Sequence, residues 1–123
     1  MRAFTSSLSR IVVTLTVAFS PEALAQQWPS APITIVMGFP AGSGVDVVSR
    51  TLQEPIEKAL GARIVNEYRT GAGGNLASEL VAKARPDGYT ILLGTAATHG
   101  VNAALYRKLP FDVEADFTPI APL

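Results

Sequence analysis

The stretch GFPAGSGVDVVSR, Gly38 to Arg50, sets small residues between an apolar β-branched run and a helical pattern. A loop of this kind can hold an anion with its backbone. Glycines let a ligand approach the main chain, and the first N–H groups of a helix lack intrahelical partners and lie at the positive end of its dipole. Gly42, Ser43 and Gly44 are the expected carboxylate donors, with the Ser43 hydroxyl as a helix cap or a further ligand contact. Asp46 falls in the first turn, where a carboxylate stabilises a helix start but would repel an anion that touched it. Capping is its expected role, and contact with a ligand's hydroxyl, amine or bound water is the alternative.

Other chemistries fit the spacing less well. Gly42 and Gly44 have the G-x-G spacing of a dinucleotide fingerprint, but Val47 stands where the third glycine belongs, and Leu76 does so after Gly71 and Gly73. No Gly-Lys-Ser or Gly-Lys-Thr follows either cluster, which removes a P-loop. Ser43 lies in Ala-Gly-Ser-Gly-Val, one residue out of register with the G-x-S-x-G of a nucleophile elbow. His99 is the single histidine and has no obvious partner, so it is expected to cap a helix or line a pocket rather than act as a base. Thr95, Thr98 and Asn102 are short polar groups suited to fixing a small ligand.

These loops need elements to carry them. ITIVMGF reads as a buried strand. Val45 to Leu60 follows as a helix with Val48, Leu52, Ile56 and Ala59 or Leu60 inward and Arg50, Glu54, Glu57 and Lys58 outward, stopped by Gly61. Pro55 inside it predicts a kink or a break into two pieces. ARIVNEY is a second strand, and GNLASELVAKA a second helix with Leu76, Leu80, Val81 and Ala84 inward. RPDG is a turn, YTILLGT a third strand, Val101 to Tyr106 a short helix, and FTPIAPL the start of a fourth strand. Alternating strands and helices predict a doubly wound, mainly parallel α/β sheet. Its ligand should bind where the strands' carboxyl ends carry PAGSGVD, RTGAGGN and TAATHGVN.

Composition narrows the setting. Arg2 and Arg10 flank the amino side of the apolar run Ile11 to Phe19, and Ala23 and Ala25 make a small-residue cleavage site, so residues 1 to 25 read as a secretory signal peptide. The run is short for a membrane span. Removing residues 1 to 25 takes away Arg2, Arg10 and Glu22, so ten basic and ten acidic residues become eight and nine. A nearly neutral chain lacks the basic patch that nucleic-acid binding requires. With no cysteine and one histidine, neither a disulfide framework nor a structural zinc site is expected, and no cofactor is implied. An exported, soluble protein of the bacterial periplasm fits these features.

The segments WPSAPITIVMGFPAGSGVDVVSR, NEYRTGAGGNLASELVAKARPDGYTILLGTAATHGVNAALY and LPFDVEADFTPIAPL, in that order, closely resemble the substrate-binding receptors of the tripartite tricarboxylate transporter family, the Bug-type periplasmic receptors. The resemblance implies two α/β lobes, of the type II-like periplasmic binding protein arrangement, closing on a small organic acid whose carboxylate is held by backbone N–H groups and waters. Matching positions in the first loop are Phe39, Ala41, Gly42, Ser43, Gly44 and Asp46. In the third loop they are Thr95, Ala96, Ala97, Thr98, His99 and Asn102, while Gly74 and Asn75 flank the cleft. Where the family often carries Pro-Gly-Gly, this chain has Ala41, Gly42 and Ser43. Such receptors are also much longer, so residues 26–123 would form an incomplete first lobe, truncated before the second.

The expected function is that of an extracytoplasmic receptor, monomeric when full length, that delivers an organic acid to integral-membrane transporter subunits. The partners are implied by the resemblance alone. A small α/β enzyme using Ser43 or His99, or a truncated fragment without function, are the alternatives.

Overall fold

The computed structural model describes residues 27–123, so the signal-peptide expectation lies outside the described residues. Strand β1, Ile33–Met37, is the centre of a three-stranded parallel sheet of order β2-β1-β3, with β2 at Ile64–Tyr68 and β3 at Thr90–Leu93. Register runs from Ile33 opposite Ile64 to Met37 opposite Tyr68 on one side, and from Thr34 opposite Thr90 to Met37 opposite Leu93 on the other. A central parallel strand is covered on both faces, which is why β1 is apolar almost throughout. Ile33, Val36 and Met37 are buried, and with Ile64, Ala77 and Phe111 they form the core.

Helix α1, Gly44–Leu60, joins β1 to β2, and α2, Asn75–Ala82, joins β2 to β3 after a 3-10 turn at Ala72–Gly74. The chain reverses direction across the sheet between these two crossovers. Right-handed connections therefore place the helices on opposite faces, with α1 against β1 and β2 and α2 against β1 and β3. The doubly wound parallel arrangement read from the sequence is the one observed.

Several local expectations are corrected. First, α1 runs unbroken through Pro55. The proline and Thr51, whose carbonyl loses its partner, are both exposed, so water can take the place of the missing N–H. Pro55→Ala is accordingly expected to raise the free energy of unfolding by about 1–2 kcal/mol in urea titration, less than the full helix-interior difference because proline also restricts the unfolded chain.

Second, α1 does not turn its apolar stripe fully inward: Val48 is 41% exposed while Asp46 and Ser49 are buried. The polar face meets β2, an outer strand of the sheet. Ser49 Oγ donates to Asn66 Oδ1 at 2.9 Å, Gln53 Nε2 to the Ile64 carbonyl at 3.3 Å, and Ile64 N to Glu57 Oε1 at 2.7 Å. Backbone groups at the sheet margin need partners, and this polar face supplies them. The Ile64 N–H, then Gln53, hold the Glu57 carboxyl below its ordinary value.

Third, α2 is turned by about one residue. Ala77 and Ser78 are fully buried and Leu76 is half exposed, because small side chains let the helix backbone lie close to the sheet. Fourth, the segment after β3 becomes helical earlier than expected, through a π-helical turn at Ala97–Val101 into α3 at Asn102–Leu105. Residues 117–123 form no strand; Pro119 and Pro122 each lack the donor a ladder requires.

Candidate functional site

Because β1 and β3 are neighbours and the strand order reverses there, the loops at their carboxyl ends leave from adjacent points, the place where open parallel sheets bind ligands. The first loop ends in a tightly closed cap. Ser43 is the N-cap of α1, and its Oγ accepts from Asp46 N at 3.4 Å. The Asp46 carboxylate reaches back to accept from Gly42 N at 2.7 Å, a variant of the capping box. Ser43 N donates to the Pro40 carbonyl at 3.1 Å, and Val47 N to the Ser43 carbonyl at 3.0 Å.

The expected donor set is corrected by these bonds. Gly42 and Ser43 spend their N–H groups inside the loop. Among the described residues, it is Gly44 and Val45, the first two helical positions, whose N–H groups have no partner. Val45 was not legible as a site residue, since its contribution is its backbone and the side chain gives no sign of it. Ala41 is exposed at the loop tip.

The third loop repeats the arrangement. Thr95 N donates to Thr98 Oγ1 at 2.9 Å, and Thr98 N to Thr95 Oγ1 at 3.3 Å, while His99 N reaches the Thr95 carbonyl at 3.0 Å. The threonines therefore cap the helical turn, and Thr98 is buried. Among the described residues, Ala96 and Ala97 keep unpartnered N–H groups at that turn's start. Its π-helical geometry is of a kind found often at functional sites.

His99 lies against this cap. Its Nδ1 is 2.8 Å from Thr98 Oγ1, its ring meets Phe117 edge-on with centroids 4.9 Å apart, and a Cβ at Gly94 would lie 3.0 Å from the ring. Burial pushes the imidazole below its ordinary value, which favours its uncharged form. Among the described residues no hydrogen bond joins His99 to Ser43, whose oxygen faces its own helix.

The second loop ties the other two together. A Cβ at Gly38 would come within 2.5 Å of Gly74 Cα, and one at Gly74 within 2.6 Å of Thr98 Cγ2 and 3.5 Å of the Phe39 ring. Asn102 Nδ2 donates to the Gly73 carbonyl at 3.0 Å and to Asn75 Oδ1 at 2.7 Å. Phe39, Gly74, Asn75, Thr98 and Asn102 thus lie together. The side chains of Asn75, Thr98 and Asn102 are, however, buried and engaged with protein groups. Among the described residues, the N–H groups left without partners in these loops include those of Gly44, Val45, Ala96 and Ala97.

Asp46 is the electrostatic centre of the first loop. It is 3% exposed and accepts from Gly42 N, from Arg50 Nε at 3.0 and 3.1 Å, and from the Tyr68 hydroxyl at 2.7 Å. The Gly42 N–H, then the Tyr68 hydroxyl, hold its carboxyl below the ordinary range against the opposing effect of burial, with Arg50 adding to them. The bond to Asp46 in turn raises the Tyr68 phenol, and Asp46 raises the Arg50 guanidinium. Arg50 is four residues from Asp46 on the same helix, a spacing at which opposite charges meet. Tyr68 comes from β2, 22 residues away, and no local signal announces it. Asp46 is thus bonded to the loop through Gly42, and the Arg50 guanidinium partly offsets its charge. A concavity of about 250 Å³ lies beside α3, lined by Ala103, Tyr106, Arg107 and Phe111 among others, and shares no residue with the rim.

Comparison with known proteins matches residues 48–123 to the family described as the tripartite tricarboxylate transporter family receptor. A UPF0065 protein of Bordetella bronchiseptica is 44% identical over 103 residues, which is 84% of this chain and 31% of that protein. MatC from Rhodopseudomonas palustris, solved with bound malate, superposes with a TM-score of 0.71 at 42% identity, over 74% of this chain and 31% of its own. The periplasmic binding protein BugD superposes with a TM-score of 0.72 at 38% identity, over 76% of this chain and 31% of its own. The chain therefore spans about 31% of the length of these relatives.

Proposed function

The chain belongs to the family of tripartite tricarboxylate transporter receptors, and from that premise we propose that it forms the carboxylate-holding part of a periplasmic receptor for a small organic acid. The observation that carries this is the hydrogen-bond accounting at the rim. Caps at Ser43/Asp46 and Thr95/Thr98 occupy the later N–H groups of two helical starts and leave the earliest ones, at Gly44, Val45, Ala96 and Ala97, without partners among the described residues. Unpaired N–H groups on adjacent loops, with α1's dipole behind one pair, suit a ligand carboxylate. The malate bound to MatC has that chemistry. Binding without turnover is part of this proposal, and the engagement of Ser43 and His99 with their own caps supports it. Residues 1–25 would direct export, residues 26–123 would contribute to the first lobe, and delivery would be to membrane subunits of a tripartite transporter.

The test uses malate and its uncharged diamide. Malate is expected to raise the melting temperature of the chain and the diamide to leave it unchanged. A Cβ at Gly44 would meet nothing within 4 Å, so Gly44→Val should leave the unliganded melting temperature nearly unchanged. Its branched side chain should shield the Gly44 and Val45 N–H groups and weaken malate binding roughly tenfold or more, the scale of losing hydrogen bonds to a charged group. Equal responses to acid and diamide, or an undiminished response in Gly44→Val, would overturn the proposal.

A further inference from the structure

Tyr68 has no place in the capping logic of the first loop, yet its hydroxyl sits where that loop is decided. The Asp46 carboxylate could point in several directions from the first turn of α1. It points back to Gly42 because donors approach it from two other sides: the Tyr68 hydroxyl from β2 at 2.7 Å and Arg50 Nε from α1 at 3.0 Å. Arg50 also donates from Nη2 to the Tyr68 oxygen at 2.9 Å, so the three side chains close a ring. Tyr68 pairs in register with Met37, the last residue of β1, and the loop begins at the next residue. The ring thus fastens the loop to a fixed point on the sheet. In this structure the Gly42 N–H is consumed while those of Gly44 and Val45 stay free.

We infer that Tyr68 is a positioning residue for the anion site: through Asp46 it holds the Gly42 to Val45 backbone so that the α1 N-terminus presents its first two N–H groups to a ligand carboxylate. This rests on the carboxylate-receptor function proposed above. Among the described residues, Arg50 on α1 and Tyr68 on β2 are the charged or titratable groups bonded to Asp46. Asp46 must be ionised to accept from all its donors. The arrangement is therefore present above its depressed value and lost as pH falls through it. Removing the Tyr68 hydroxyl takes away one of the bonds that depress that value, so the loss should occur at higher pH.

The experiment is NMR on the ¹⁵N-labelled full chain, following the Gly42, Gly44 and Val45 amides through a pH titration and a malate titration. In the parent chain, Gly42 should report the Asp46 transition below the ordinary carboxylate range, and malate should shift Gly44 and Val45. In Tyr68→Phe, the Gly42 transition should move to higher pH, and malate affinity at neutral pH should fall roughly three- to tenfold, the scale of one hydrogen bond. Arg50→Gln, at an exposed side chain outside the sheet, should move both in the same direction and serves if the Phe variant does not fold. An unchanged Gly42 transition and unchanged malate affinity in the variants would overturn the inference. Malate that shifts neither Gly44 nor Val45 in the parent chain would overturn the receptor proposal and this inference with it. The Gly42 titration would still show whether the clamp exists, so the two failures are distinguishable.

Discussion

Gly38→Ala is expected to lower the free energy of unfolding by about 3 kcal/mol, at the upper end of what overpacking usually costs. The added Cβ would come within 2.5 Å of Gly74 Cα and 3.0 Å of its carbonyl oxygen. Those are backbone atoms at the start of α2, and moving them means lifting α2 from the sheet where Ala77 and Ser78 are packed. Gly74→Ala should be comparable for a second reason. Its φ of +91° lies in the region that disfavours side chains, and its Cβ would press on Thr98, whose hydroxyl is held by Thr95. Gly44→Ala, with nothing within 4 Å of its Cβ, is the control and should be nearly neutral. Urea unfolding of the three variants checks this. A cost for Gly38→Ala no larger than for Gly44→Ala would mean that the close approach of the first two loops is absent in solution.

Asn102→Ala should cost about 2–4 kcal/mol, because it leaves two acceptors unsatisfied in a buried place. Asn102 is 5% exposed and Asn75 is 4% exposed, and the Asn102 amide is the donor shared by the Gly73 carbonyl and Asn75 Oδ1. Water has little access to replace it. Asn102→Asp should be worse still, since it exchanges the donor for a charge facing two oxygens. The measurement is again unfolding free energy, together with hydrogen exchange across Ala72–Gly74, the 3-10 turn that Asn102 holds, which should accelerate in Asn102→Ala. A loss near that of an ordinary surface substitution would show that Asn102 faces solvent or ligand, as its loop position alone suggested.

Gly74 and Asn102 are among the residues that the sequence marks as site residues, whereas Gly38 is not, and all three are packed against or bonded to protein groups in the fold. Short polar side chains on Gly-rich loops at the ends of parallel strands are a sound sign of a binding rim. Asn75, Thr98 and Asn102 are nevertheless turned inward, because three loops without regular ladders leave backbone groups that need partners. Among the described residues, the donors left over include those of Gly44, Val45, Ala96 and Ala97, whose side chains carry no polar signal at all.

The order of the first three strands and the two helices between them, the parallel sheet and the placement of three loops at one edge follow from the sequence alone. They depend on periodicity, turn residues and the handedness of crossovers, which are local or nearly local properties. The Ser43 cap and the Gly61 stop are legible for the same reason. Tertiary structure decided which face of α1 is buried: the outer position of β2 demands Ser49, Gln53 and Glu57 more than it demands Val48. It also decided the rotation of α2, set by how closely Ala77, Ser78 and the Gly38 to Gly74 contact let backbone approach backbone. Finally, it decided the direction of the Asp46 carboxylate, because the hydroxyl that turns it comes from a strand 22 residues away. Each of these depends on groups that meet only after the chain has folded, and no spacing along the sequence encodes such a meeting.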